Sequence, residues 1–303
     1  MAVIIFPVGG VGNQLFIYAA GKALALKRDL PLLVDTSHYR KYEDRQLELD
    51  FIESNWVTVS TSQNLDYRLV RVLVQSYSWV RRLIRKVYHR GSQTFDEAFI
   101  FDPNFPKFCG NFWLRGYFQS WRYFNEIGEE LRNEILDAKD PTEFFIEVQK
   151  EIVDAGASVA VHVRRGDYIS NGYMGVLPEE YYERSLRFLD SLVGDFQIFV
   201  FSDDTDSLID ESFLSKWSGR MTVVRPSEAS RPIETLRLIA MCDHVVMANS
   251  SFSWWGAWLG HRENRHVVYP RPWLSGGRLD DRDLVLPTWI GIGTEYVDTN
   301  DQL

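Results

Sequence analysis

Val159-Ala160-Val161-His162-Val163-Arg164-Arg165-Gly166-Asp167-Tyr168 is the stretch on which the fold of this chain turns. Residues 159–163 are apolar apart from His162 and run into a Gly-Asp turn, which reads as a buried strand. A regular alternation follows. Residues 179–192 read as a helix, 196–201 as a strand, 205–217 as a helix and 221–224 as a strand. The pattern continues with a helix at 233–241, a strand at 245–248, a helix at 252–260 and a strand at 266–269. Strands alternating with helices predict an α/β fold with a parallel, doubly wound sheet, whose ligands bind beyond the carboxyl ends of the strands. His162, Arg164, Arg165 and Asp167 stand at such an end.

Working outward, residues 2–7 form a short apolar run closed by Pro7 and a glycine loop. A helix over 13–28 and a strand over 32–34, ending at Asp35, complete a βαβ opening. The middle is less regular: a basic helix over 67–90, a strand over 112–118 and a helix over 121–136 are expected. A polar linker near 137–141 leads to a connecting helix at 142–153. Two Rossmann-like domains facing a cleft, 1–140 and 141–303, are the economical architecture.

Composition narrows the function. The 303 residues carry 33 Lys and Arg against 42 Asp and Glu, a net charge of -9, which disfavours a nucleic-acid binder. Ten Trp and 14% aromatic residues supply stacking surface for a sugar or a base. Cys109 and Cys242 are too few for a disulfide framework or a structural metal cluster. No apolar run is long enough to span a bilayer, and the amino-terminal run lacks a basic flank and is broken by Gly9, Gly10 and Gly12, so a cytoplasmic protein is expected.

Four further stretches bear on chemistry. The planar guanidinium forks of Arg164 and Arg165 suit a pyrophosphate, although a surface Arg pair bridged to Asp167 would look the same. Asn249, Ser250, Ser251 and Phe252 lie where a strand enters a helix, and the N–H groups of a capped first turn form an anion site. Trp254, Trp255 and Trp258 beyond them read as packing. Ser202-Asp203-Asp204-Thr205-Asp206 follows another strand. It fits either a metal-binding acidic pair or a helix N-cap, and with two Arg available for phosphate the metal-free reading is preferred. Gly9-Gly10-Val11-Gly12-Asn13-Gln14 is an incomplete dinucleotide fingerprint, with Leu15 in place of the last glycine; Asp35 keeps an NAD enzyme in play. Its alternative is a loop that brings backbone and Asn13 to a second substrate. Glu234, at a helix start, is an ordinary first-turn acid or a partner for the N–H pair of guanine.

Taken together, Gly9–Phe16, His162–Tyr168, Ser202–Asp204 and Asn249–Leu259 resemble the α-1,2-fucosyltransferases of glycosyltransferase family 11, and without a membrane anchor the chain is similar to the bacterial members. The resemblance implies a GT-B-like, inverting, metal-independent enzyme with no cofactor. It would move L-fucose from GDP-β-L-fucose to the 2-hydroxyl of a terminal galactose on a glycan. It further implies that domain 141–303 holds the donor: Arg164 and Arg165 at the diphosphate, Asp203, Asn249, Ser250, Ser251 and Phe252 around it, His162 and Glu234 near guanine. The wider group usually has Asp at the position of Glu234. Domain 1–140 would face the acceptor through Gly10, Asn13 and Gln14. Displacement at the anomeric carbon passes through an oxocarbenium-like state while charge grows on the departing nucleotide. Arg165 would stabilise that charge, Asp167 would take the acceptor proton, and Asn13 would sit at the reacting groups.

Competing readings are a fucosyltransferase of another linkage or acceptor, a non-catalytic glycan-binding protein that stacks sugars on Trp, and an NAD oxidoreductase. The basic helix over 67–90 is expected either to pack with a solvated face or to meet the inner face of an anionic membrane bearing lipid-linked acceptors.

Overall fold

The computed structural model of the protein describes residues 2–36, 39, 46–49, 52, 57–58, 92–94, 99–103, 105, 112–137, 140–170, 174–206, 208, 212–227, 229–275 and 280–297. The basic helix expected over 67–90 and Cys109 lie outside the described residues. The chain divides into two compact units, Met1–Glu134 with Arg282–Leu284, and Ile135–Asp281 with Val285–Leu303. No helix among the described residues is long and apolar enough to cross a membrane.

The first unit opens with β1 (Val3–Ile5), α1 (Val11–Arg28) and β2 (Leu32–Val34), and continues with β3 (Val57–Thr58), β4 (Ser92–Thr94) and β5 (Phe112–Arg115). All five strands are parallel, in the order β3-β2-β1-β5-β4. β1 lies at the centre with a partner on each side, which is why Val3, Ile4 and Ile5 are all apolar and buried. α1 starts two residues before the expected Asn13, because extended Gly10 takes the N-cap position. It stops at Asp29, whose left-handed backbone (φ 51) returns its N–H to Ala25 and Leu26, with Lys27 and Arg28 in the last turn facing the negative helix end.

Two expectations in this unit are corrected. The strand expected over 112–118 ends at Arg115, since Gly116 and Phe118 adopt positive φ angles of 145 and 52. The helix expected over 121–136 is two short 3₁₀ turns, Trp121–Tyr123 and Asn125–Ile127, followed by α2 (Gly128–Leu136). The physical cause is aromatic packing: Tyr123 meets Phe105 edge-on at 4.8 Å and Phe124 meets Phe16 at 6.0 Å, and these contacts hold Phe124 at φ -130, ψ 14, outside the α region.

The second unit contains α3 (Glu143–Asp154), β6 (Ser158–Val163), α4 (Gly166–Ser170), α5 (Glu179–Val193), β7 (Gln197–Ser202), α6 (Ser212–Lys216) and β8 (Met221–Val223). Then follow α7 (Pro232–Met241), β9 (His244–Val246), α8 (Ser251–Leu259), β10 (Val267–Arg271) and β11 (Ile290–Gly293). Its six parallel strands run β11-β10-β9-β6-β7-β8. β6 is central and buried along its whole length, as its apolar run requires. α5 turns Tyr181, Tyr182, Ser185, Leu186 and Leu189 inward, against Val159, Val161, Ile198 and Val200 of the sheet. The helix expected over 205–217 is α6 alone among the described residues, with Thr205 and Asp206 in a bend. The short α4 and the edge strand β11 carry no pattern that marked them in advance. α4 is one turn long, and β11 is half glycine.

Strand order fixes where a ligand can bind. From β6 the chain moves outward through β7 and β8, then returns to β9 on the other side of β6 and continues through β10 to β11. The crevice at such a reversal, above the carboxyl ends of β6 and β9, is the ligand position of doubly wound sheets. The residues after β6 are Arg164 and Arg165; those after β9 lead through Asn249 and Ser250 into α8.

Candidate active site

The pairing of β6 with β9 brings the two conspicuous motifs of the second unit together. His162 stacks on Phe252 of α8, ring centres 5.4 Å apart and planes 28° from parallel. The Tyr168 hydroxyl donates to the Asn249 carbonyl at 3.2 Å. Burial pushes the Tyr168 hydroxyl up to about 12, so it stays protonated and able to donate.

Two acids organise the arginines. Asp203, just past the end of β7, accepts the Arg165 backbone N–H at 2.9 Å and pairs through its other oxygen with Arg164 at 3.2 Å. Gly166 permits this closeness, because a Cβ there would lie 2.1 Å from Asp203 Oδ2. Arg164 also pairs with Asp167 at 2.6 Å and lies over the Tyr168 ring at 5.2 Å. The result is a guanidinium held from two sides, its side chain 19% exposed, beside a carboxylate that is 52% exposed.

Arg165 is placed differently from its neighbour. It is 7% exposed, and its Nη1 donates to the Leu177 carbonyl at 2.8 Å. Of the two arginines expected at a diphosphate, Arg164 presents its guanidinium and Arg165 turns into the protein. Alternation along an extended chain predicts opposite directions for the pair; which one faces the crevice depends on the fold.

α8 supplies the opposing wall. Ser250 is its N-cap (φ -125, ψ 136), and the Ser250 hydroxyl accepts the Phe252 N–H at 3.2 Å. Ser251 and Phe252 are half-buried in the first turn, while Trp254, Trp255 and Trp258 are core residues at 0%, 0% and 5% exposure. Asn249 is buried and points away from the helix start, its amide donating to the carbonyls of Met174 at 2.8 Å and Gly175 at 3.3 Å. His162 is 3% exposed, and its Nδ1 has no hydrogen-bond partner among the described residues. Burial, with the charge of Arg164 added, lowers its pKa to about 3, so the ring is neutral at physiological pH.

Glu234 corrects an expectation. It has no accessible surface, and four donors fill its two oxygens: the Thr142 N–H at 2.9 Å, the Thr142 hydroxyl at 2.8 Å, the Arg231 N–H at 3.2 Å and the Arg231 guanidinium at 3.0 Å. Burial alone would raise its pKa, but the bonds from Thr142 and Arg231 outweigh that and lower it. These bonds tie the start of α7 to the start of α3. Of the other acids, Asp204 bonds the Ser202 hydroxyl through its backbone N–H at 3.1 Å, and Asp206 pairs with exposed Arg225 at 3.1 Å.

In the first unit the corresponding reversal of strand order lies between β1 and β5. Half-buried Asn13, in the first turn of α1, accepts from the Gln119 amide at 2.8 Å. Gln119 follows β5 and carries no sequence signal; only the pairing of β5 with β1 brings it beside Asn13. Gln14 does not face a substrate as expected. It is fully buried and links Gly9 and Gln46 carbonyls to the Glu48 N–H, at 2.9, 2.9 and 2.8 Å.

Known proteins match this chain over nearly its whole length. The O-antigen biosynthesis glycosyltransferase WbnK of Escherichia coli is 28% identical over 322 residues, covering 94% of this chain and 98% of that one. An alpha-1,2-colitosyltransferase of Escherichia coli is 29% identical over 304 residues, covering 94% and 96%. Among solved structures, a mutant of Arabidopsis thaliana FUT1 in complex with GDP superposes with a TM-score of 0.52 at 14% identity, over 91% of this chain and 72% of that one. That likeness is one of fold, α/β and GT-B-like with two Rossmann-like units. The sequence model of glycosyl transferase family 11 matches residues 70–293, and the chain therefore belongs to that family of glycosyltransferases.

Proposed function

We propose that this glycosyltransferase is an inverting, metal-independent α-1,2-fucosyltransferase, moving L-fucose from GDP-β-L-fucose to the 2-hydroxyl of a terminal galactose. The observation that carries the reading is that Arg164 and the capped N-terminus of α8 follow the carboxyl ends of two adjacent strands, β6 and β9, at the reversal of strand order. Both favour a doubly charged pyrophosphate, one through a forked cation and the other through unpaired N–H groups and the helix dipole. Both stabilise charge on a leaving nucleotide without supplying a proton.

In the step itself, the acceptor 2-hydroxyl oxygen bonds to the anomeric carbon from the face opposite GDP. The bond from that carbon to the β-phosphate oxygen breaks, and its electron pair leaves with GDP. Phosphate oxygens arriving at Arg164 compete with Asp167 for the same guanidinium. The displaced Asp167 carboxylate is then available to accept the hydroxyl proton. Arg165 and Asn249 act behind this surface, and Asn13 with Gln119 forms the polar pair offered to the acceptor.

A second donor, GDP-colitose, is favoured by the colitosyltransferase that matches 94% of this chain. A panel of GDP-fucose, GDP-colitose and GDP-mannose against β-galactosides, scored for GDP release with and without EDTA, tests the reading. Turnover with GDP-fucose, unchanged by EDTA, supports it. Turnover confined to GDP-colitose moves the donor assignment, and dependence on a divalent ion overturns the metal-free mechanism.

A further inference from the structure

The segment Thr294–Val297 follows β11 and lies just beyond the residues matched by the family model. Three sets of contacts anchor it within the second unit. The Thr294 N–H bonds the Arg271 carbonyl at 2.9 Å. The Tyr296 hydroxyl donates to the carbonyls of Pro272 and Trp273 at 2.8 and 2.6 Å. The Val297 N–H bonds the Val176 carbonyl at 3.0 Å, forming an antiparallel bridge.

The partner of that bridge, 174–177, is the backbone on which two donor-site residues rest. Its Met174 and Gly175 carbonyls hold the Asn249 amide, and its Leu177 carbonyl holds the Arg165 guanidinium. Asn249 immediately precedes the N-cap of α8, and Arg165 immediately follows Arg164. Tyr296 presses on this same backbone: a Cβ at Gly175, whose φ is +74, would lie 2.6 Å from the Tyr296 ring. A side chain at 175 is therefore excluded twice, by the left-handed backbone and by the ring.

We propose that Thr294–Val297 is a positioning element of the donor site. Through the 174–177 backbone it fixes Asn249 and Arg165, and so the spacing between the Arg164 guanidinium and the first turn of α8. The two phosphate-binding walls stand on different strands, and no described side-chain bond joins Arg164 directly to α8. Their separation is set by what holds their neighbours. This inference rests on the donor-site reading above.

Two substitutions test it. Val297→Pro removes the N–H that bridges Val176 at a site 39% exposed, where folding has little to lose. Gly175→Ala forces the backbone against Tyr296. Each variant is compared with wild type by calorimetric titration of GDP, by KM for donor and for acceptor separately, and by thermal melting. The expected result is a donor KM and GDP Kd raised about tenfold in Val297→Pro, with acceptor KM and melting temperature nearly unchanged, and a larger rise in Gly175→Ala. Unchanged GDP affinity in both variants overturns the proposal, as does a loss of activity that tracks only the melted fraction. If wild type itself fails to bind GDP, the donor-site reading is lost instead.

Discussion

Arg164 and Arg165 are adjacent and chemically identical, yet their substitution has different consequences. Arg164 is held by two carboxylates with part of its surface exposed, whereas Arg165 is inserted beneath the 174–177 backbone. Hydrogen bonds to charged groups contribute about 1.5–3 kcal/mol, so Arg164→Ala is expected to weaken GDP roughly 10- to 100-fold with melting nearly unchanged. Arg165→Ala leaves a buried carbonyl without its donor and is expected to lower the melting temperature as well as GDP affinity. Calorimetry and melting curves on both variants decide; equal behaviour would contradict the assignment. His162 gives a prediction in pH. Its folded pKa of about 3 lies below its ordinary 6.5, so below about pH 6.5 the unfolded chain takes up a proton that the folded chain refuses. Its contribution to stability is thus present above pH 6.5 and falls as pH drops toward 3, by up to about 1.4 kcal/mol per pH unit. His162→Phe keeps an aromatic ring against Phe252 and removes this term. The stability difference between variant and wild type should move in favour of the variant between pH 7 and 5, as read from denaturant melts. A constant difference would show that His162 does not stay neutral.

At the scale of elements, helix starts do most of the positioning. α8 is capped by Ser250, α3 by Thr142, and α7 begins at Pro232 with Glu234 reaching back to the Arg231 N–H. The sequence announces all three starts through their Ser, Thr or Pro, but it leaves open whether Glu234 faces a ligand or the protein. Four hydrogen bonds answer that. Glu234→Ala would leave buried donors unmatched and is expected to cost at least about 2 kcal/mol in stability, with the GDP affinity of the folded protein retained. A selective loss of GDP binding in a protein of normal stability would restore the guanine reading. The carboxylate's lowered pKa adds a direction: its support for folding is present at neutral pH and is lost as pH falls through that value. Strands buried on both faces, such as β6, were legible as apolar runs because nothing else explains them. The broken helix at 121–136 was not, because helical periodicity in sequence cannot register that Tyr123 and Phe124 are drawn to Phe105 and Phe16.

For the whole molecule, a ligand that binds only the folded state stabilises it by mass action, about 2.7 kcal/mol at a concentration one hundred times Kd. GDP is therefore expected to raise the melting temperature by several degrees, and NAD to leave it unchanged. A rise with NAD alone would favour the oxidoreductase reading of Gly9–Gly12 and Asp35. The alternation of apolar runs and amphipathic helices is a local property, since each strand or helix must bury its own face. It determined the α/β class, the parallel sheets and the strand ends at which the arginines stand, while two extended strings, His162–Tyr168 and Ala248–Leu259, pointed to the family. That Arg164 stays partly exposed while Arg165 is buried, that Glu234 is bonded to Thr142 and Arg231, and that Gln119 joins Asn13 were decided only by tertiary structure. Those outcomes depend on which strands become neighbours and which backbone carbonyls come within reach. Sequence spacing carries no record of either.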